Sequence, residues 1–124
     1  KGGTGTRVFM GAPYTSGGKT GTAQAFSIGQ NVKYNAKALE EHQRDHSLFA
    51  AFAPAENPQI ALALIVENAG FGAAHAAPIA RRVFDYWLLG HYPSEEDIAA
   101  VQKGQAGAPL GKSRKAADVP LVAP

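Results

Sequence analysis

Cysteine is absent from all 124 residues, so no disulfide and no thiolate metal site can form, and the compartment stays undecided. Methionine occurs once, at Met10, and the chain opens on Lys1 followed by a glycine-rich run (Gly2, Gly3, Gly5). That start reads as a cut inside a longer protein. No apolar run approaches the ~20 residues that cross a bilayer, and no signal peptide is visible. A membrane anchor, if the parent protein has one, is expected upstream. Strong charge is missing too: the net value is +2, too small to argue for nucleic acid. The short basic cluster Lys112, Ser113, Arg114, Lys115 reads as a solvated tail.

Apolar residues make up 45% of the chain, an ordinary share for a globular protein. They concentrate between Leu48 and Leu89. Lys1 to Pro13 reads as loop, with a short extended stretch at Arg7 to Met10. Tyr14 to Phe26, rich in Thr and Gly without a helical period, is expected to be a strand with one open face. Asn35 is a candidate N-cap for an exposed helix over 36–44. Ser47 to Ala53 and Gln59 to Glu67 are apolar runs joined by a Pro- and Asn-bearing turn at 54–58, which implies an antiparallel hairpin. The second run is apolar on both faces (Ile60, Leu62, Leu64, Val66; Ala61, Ala63, Ile65), the pattern of a strand covered on both sides.

Ala76, Ala80, Val83, Phe84, Trp87 and Leu88 recur at helical spacing, with Arg81, Arg82 and Asp85 elsewhere and Gly90 as the stop. This helix should lie on the sheet, with Pro78 in its first turn. Ser94 followed by Glu95, Glu96 and Asp97 marks a short helical start. Composition beyond Lys103 suggests disorder. The organisation expected is therefore an α+β fragment over 1–90, antiparallel strands with a hairpin and one amphipathic helix, followed by a flexible tail over 91–124. One helix cannot cover two apolar sheet faces, so the isolated chain should be poorly stable and leave a face open.

Several motifs fail. Gly18-Lys19-Thr20 would belong to a phosphate-binding loop only with glycine at position 13, which is Pro13. Gly3-Thr4-Gly5 lacks the third small residue of a dinucleotide fingerprint, since position 8 is Val8. His42 and His46 stand four apart, but Gln43 replaces the glutamate of a zinc peptidase and no third ligand is well placed. His75 and His91 read as helix-end residues. No metal site and no cofactor is expected.

Lys19-Thr20-Gly21-Thr22 carries the chemistry. Small residues let a peptide backbone approach and pair as an added strand. The hydroxyls of Thr20 and Thr22 can bind a carboxylate, and the Lys19 ammonium adds positive charge. Gly21 removes a blocking side chain, and a backbone N–H at the rim can hold an oxyanion. These side chains are expected to converge on an anionic peptide terminus. Taken alone, the four residues fit a Gly/Thr-rich surface strand with a solvated lysine equally well.

The run Lys19-Thr20-Gly21-Thr22-Ala23-Gln24 resembles the third motif of the penicillin-binding protein and serine β-lactamase superfamily, Lys-Thr-Gly. Its Thr-Ala-Gln continuation is similar to class B transpeptidases. Gly11-Ala12-Pro13-Tyr14, Arg44-Asp45-His46, Phe49 to Pro54, Asn57 to Leu62 and Glu67-Asn68 resemble, in order and spacing, the elongation, rod-shape type of Gram-negative bacteria. The resemblance covers residues 1 to 90 and implies a C-terminal portion of a transpeptidase domain. It implies that Lys19 and Thr22 act in catalysis, Thr22 through its backbone N–H as an oxyanion donor. It implies that Lys19, Thr20, Gly21 and Thr22 bind substrate. The implied partners are a peptidoglycan stem peptide ending in D-Ala-D-Ala, β-lactam antibiotics, the remainder of the domain and a rod-shape glycosyltransferase. The implied location is the periplasmic side of the inner membrane.

The family also needs Ser-x-x-Lys and Ser-x-Asn motifs. Only Ser16 has Lys three positions later, and that residue, Lys19, is already the lysine of Lys-Thr-Gly; none of Ser16, Ser27, Ser47, Ser94 and Ser113 has Asn two positions later. Both motifs are expected upstream of Lys1, and this piece alone should be inactive. Alternatives are a D,D-carboxypeptidase or serine β-lactamase of the same superfamily, or an idle cell-wall scaffold.

Overall fold

The computed structural model describes residues 2–24, 45–70, 72–105 and 107–120. The helix expected over 36–44 and His42 lie outside these residues. In chain order the elements are α1 (Thr6–Phe9), β1 (Gly17–Ala23), β2 (His46–Ala53), β3 (Ile60–Val66), α2 (Gly72–Leu89), β4 (His91–Tyr92), α3 (Glu95–Gln102) and β5 (Arg114–Lys115). A 3-10 turn at Ala116–Asp118 follows. The mixed α+β class and the antiparallel hairpin agree with the sequence reading.

Three strands form an antiparallel sheet in the order β1-β2-β3. The register pairs Thr20 with Phe49 and Lys19 with Ala50, then Phe49 with Leu64 and Ala50 with Ala63. Side chains alternate along a strand, and directly paired residues share a face. One face therefore holds Phe49, Ala51, Ala53, Ile60, Leu62, Leu64 and Val66, and α2 lies on it with Ala76, Ala77, Ala80 and Phe84 buried. Phe84 is fully buried, worth roughly 1.5–3 kcal/mol in water-to-core transfer.

The other face carries Leu48, Ala50, Phe52, Ala61, Ala63 and Ile65. Ile65 is 53% and Phe52 40% exposed. Among the described residues α2 covers one face of β3 only, and the open second face agrees with the expectation that one helix leaves a face bare.

Three local expectations also change. Residues 6–9 form a helical turn rather than an extended stretch. Thr6 N donates to Gly3 O, and Val8 N and Phe9 N both donate to Gly5 O. Packing sustains so short a turn: Val8 is buried, and the Phe9 ring lies 6.1 Å from that of Phe49. Pro78 lies well inside α2, since the helix begins at Gly72 and not near Ala76. The Pro78 carbonyl accepts from Arg82 Nη1 at 3.0 Å. The apolar stripe splits, with Val83 and Trp87 exposed while Arg81 and Asp85 turn inward. Gly90 closes α2 at φ 64, its N–H donating to Tyr86 O at 3.0 Å.

Beyond Gly90 further elements follow among the described residues. Strands β4 and β5 pair antiparallel. Ser94 caps α3, accepting from Asp97 N at 3.0 Å. Asp97, 1% exposed, receives a fork from Arg82 of α2 at 3.0 and 2.7 Å and a further bond from Leu110 N at 3.2 Å. A buried ion pair thus fastens α3 to α2.

Two outcomes are expected. Asp97→Asn leaves Arg82 unpaired in a half-buried site and should cost about 3 kcal/mol locally. Amide exchange over 94–111 should then rise roughly a hundredfold, and unchanged exchange would remove the pair from this role. The isolated 124-residue chain should bind an apolar dye and melt broadly. A sharp melt without dye binding would contradict the open face.

Candidate active site

Strand β1 lies at one edge of the sheet, with β2 on its inner side and no described strand on its outer side. An edge strand presents unpaired N–H and C=O groups, a template for an added peptide. Lys19, Thr20, Gly21 and Thr22 all lie on β1. Residues two apart turn their backbone groups to the same edge, so Thr20 and Thr22 act as a pair.

Their side chains do not share one face. Thr20 and Thr22 pair with Phe49 and Ser47 and stand on the α2 side, whereas Lys19 and Gly21 pair with Ala50 and Leu48 on the open side. Lys19 and the two threonines therefore straddle the strand. The cause is the two-residue period of a strand, which sends neighbours to opposite faces. Lys19 Nζ curls back to donate to Thr20 O at 2.8 Å. Lys19 also lines an open apolar depression of about 620 Å3, with Ala50, Phe52, Ala61 and Ala63.

The glycines answer to packing as well as to approach. A Cβ on Gly18 would sit 2.8 Å from the Phe49 ring and 3.1 Å from Ala50 O. One on Gly17 would meet the Phe52 ring at 2.4 Å. A Cβ at Gly21 meets only Leu48 at 3.3 Å, so Gly21 is the least crowded of the three.

The approach to β1 is tied down by residues that no motif announces. Thr15 Oγ1 donates to Glu56, and Ala55 N donates to Thr15 O at 3.1 Å, joining the strand's entry to the β2–β3 turn. The bond from Thr15 first, and then one from the backbone N–H of Glu56 itself, hold the Glu56 carboxyl below its usual range. Tyr14 OH donates to Asp85 Oδ1 at 2.6 Å. Arg81 Nε reaches both Asp85 oxygens at 3.0 Å, and Arg81 Nη1 donates to Val8 O at 2.9 Å and Met10 O at 3.3 Å. The four-residue spacing of Arg81 and Asp85 was the available signal for this clamp. At the far end of β2, His46 Nδ1 accepts from Asn68 N at 2.9 Å and Ser47 Oγ donates to Gly70 O at 2.8 Å. His46 therefore serves the loop after β3. Among the described residues no group of three His, Cys, Asp or Glu gathers as a metal site. A more enclosed cavity of about 370 Å3 has no β1 residue in its wall, and its Arg81–Asp85 and Arg82–Asp97 groups are already paired.

The penicillin binding protein transpeptidase domain model matches residues 1–85. The chain belongs to that transpeptidase family. Its relatives include the peptidoglycan D,D-transpeptidase MrdA of Haemophilus influenzae, 47% identical over 94 residues, covering 76% of this chain and 14% of that protein. The Escherichia coli MrdA is 46% identical, with 71% and 14% covered. Among solved structures, Pseudomonas aeruginosa PBP2 in complex with WCK 5153 matches at TM-score 0.55 and 42% identity, covering 70% of this chain and 16% of that one. Helicobacter pylori PBP2, in a complex with MreC, matches at TM-score 0.53 and 28% identity, covering 71% and 14%. This transpeptidase-family chain thus spans about one seventh of the length of the relatives it matches.

Burial, and then the hydrogen bond to Asp85, push the Tyr14 phenol well above its ordinary pKa. An unfolded tyrosine ionises near pH ~10. With the native value raised, the contribution to stability is complete below that pH and fades as pH climbs past it. In the complete protein, the melting temperature of Tyr14→Phe relative to wild type should rise between about pH 9 and about pH 11. A pH-independent difference would show that Tyr14 is not held this way.

Proposed function

We propose that the complete protein containing this chain is a serine peptidoglycan D,D-transpeptidase of the elongation, rod-shape type. We propose that residues 1–90 are the C-terminal portion of its catalytic domain. The observation that carries the reading is the Lys19-Thr20-Gly21-Thr22 run on an outer strand of a transpeptidase-family sheet. Among the described residues no helix is long and apolar enough to cross a membrane. An anchor outside this chain would hold the enzyme on the periplasmic side of the inner membrane.

In this proposal a serine outside the chain attacks the carbonyl carbon of the penultimate D-alanine. The peptide C–N bond breaks, D-alanine leaves with a proton on its amine, and an ester joins substrate to enzyme. An amine of a second stem peptide then attacks the ester, releasing the serine and forming the cross-link. The stem peptide lies along the outer edge of β1. Its terminal carboxylate sits at that edge, reached by the Thr20 and Thr22 hydroxyls from one side and by the Lys19 ammonium from the other. Gly21 leaves the approach clear. The Thr22 backbone N–H faces the carbonyl oxygen as charge develops there. β-Lactams acylate the same serine. The apolar face around Phe52 and Ile65 is covered by the rest of the domain. A rod-shape glycosyltransferase is the expected partner enzyme, and the MreC complex of the Helicobacter relative suggests an MreC-like protein as a second partner.

Lys19→Ala in the complete protein should cut acylation by a fluorescent penicillin about a hundredfold or more, the scale of losing one preorganised charged donor. Unchanged labelling would remove Lys19 from the site. Release of D-alanine from a stem peptide without cross-linked product would replace transpeptidation with carboxypeptidase action.

A further inference from the structure

We infer that Thr4 is a positioning residue that aims the Thr20 hydroxyl at the substrate carboxylate. The inference rests on the reading of Thr20 as a carboxylate ligand. Thr4 Oγ1 lies 3.0 Å from Thr20 Oγ1, although sixteen residues separate them. Each hydroxyl has one proton and can both donate and accept. If Thr20 gave its proton to Thr4, it would have none for an anion. With Thr4 as donor, the Thr20 oxygen is occupied by an incoming bond and its own proton is free to point away. A carboxylate at the edge of β1 selects that second arrangement, because only then does it gain a charge-assisted hydrogen bond.

Thr4 can do this because its segment is held. Thr6 Oγ1 donates to Gly3 O at 2.6 Å, closing the turn that contains Thr4. Four residues on, the Val8 carbonyl is gripped by Arg81 at 2.9 Å, and Arg81 is itself fixed by Asp85. Phe9 packs on Phe49, the residue directly paired with Thr20. Two routes therefore tie the position of Thr4 to that of Thr20: the sheet through Phe49, and helix α2 through Arg81. Thr4 stays exposed, so its exchange should disturb little of the fold.

The test uses the complete protein and measures the second-order rate of acylation by a fluorescent penicillin and by the same penicillin with its carboxylate esterified. Thr4→Val should slow the free acid about tenfold, the loss of one hydrogen bond to a charged group, and leave the ester unaffected. Thr4→Ser should restore the acid rate, and Thr4→Ala should repeat the valine result. An acid rate equal to wild type in Thr4→Val and Thr4→Ala overturns the inference, and so does an equal loss with acid and ester, which marks a merely structural effect. Thr20→Val separates this from the reading beneath it. If Thr20→Val slows the acid and Thr4→Val does not, the inference alone fails. If neither does, Thr20 is no carboxylate ligand and both fail.

Discussion

A sheet has two faces and two edges, and one helix can cover only one face. That constraint shapes everything else in this chain. Helix α2 takes the face built from Phe49, Ala51, Leu62 and Leu64, and it is lined with alanines so that its backbone can come close. Phe84 fills the space those small residues leave. The opposite face is just as apolar in composition yet stays bare, with Ile65 and Phe52 in the open. A contiguous bare apolar face marks a surface meant for contact. The matched part of this chain covers about one seventh of its relatives' length, and in the proposed reading the rest of the domain covers this face.

Where apolar material is scarce, polar networks take over. Two adjacent arginines on α2 show this in opposite directions. Arg81 faces the N-terminal segment and, with Asp85, collects Tyr14 and two backbone carbonyls. Arg82 faces the C-terminal segment and, with Asp97, collects Leu110 and Gly107. Both carboxylates are buried, and breaking either pair leaves an uncompensated charge. Such pairs specify geometry more than they stabilise it. The approach to β1 and the chain's last folded stretch are both registered on a single helix.

The hairpin was legible because β2 and β3 are apolar runs of strand length flanking a proline-bearing turn, and that signal needs no partner. The motif strand was legible from residue types alone. Helix α2 was legible, but its orientation was not. Helical spacing put Val83 and Trp87 with Phe84, and no single-element rule says that Arg81 and Asp85 turn inward. Their inward turn depends on Tyr14, 71 residues away along the chain. Composition, likewise, counts apolar side chains, and the burial of Asp97 depends on a partner on another element. The placement of Lys19 opposite Thr20 and Thr22 across the strand was implicit in the two-residue period.

That straddled arrangement is chemically sound. An anionic peptide terminus lying along an edge strand is approached from above and below the sheet plane, not from one face. Hydroxyls on one side can hold the carboxylate oxygens while an ammonium on the other supplies charge without competing for the same lone pairs. The ammonium also stands on the bare face, next to the depression formed with Ala50 and Ala63. Whatever covers that face therefore meets Lys19 directly. In the proposed reading, a nucleophile carried by the covering element would find the lysine beside it and the two threonine hydroxyls across the strand. On that proposal one short strand divides two tasks between its faces: recognition of the substrate's end on the α2 side, and electrostatic contact with the reacting group on the open side.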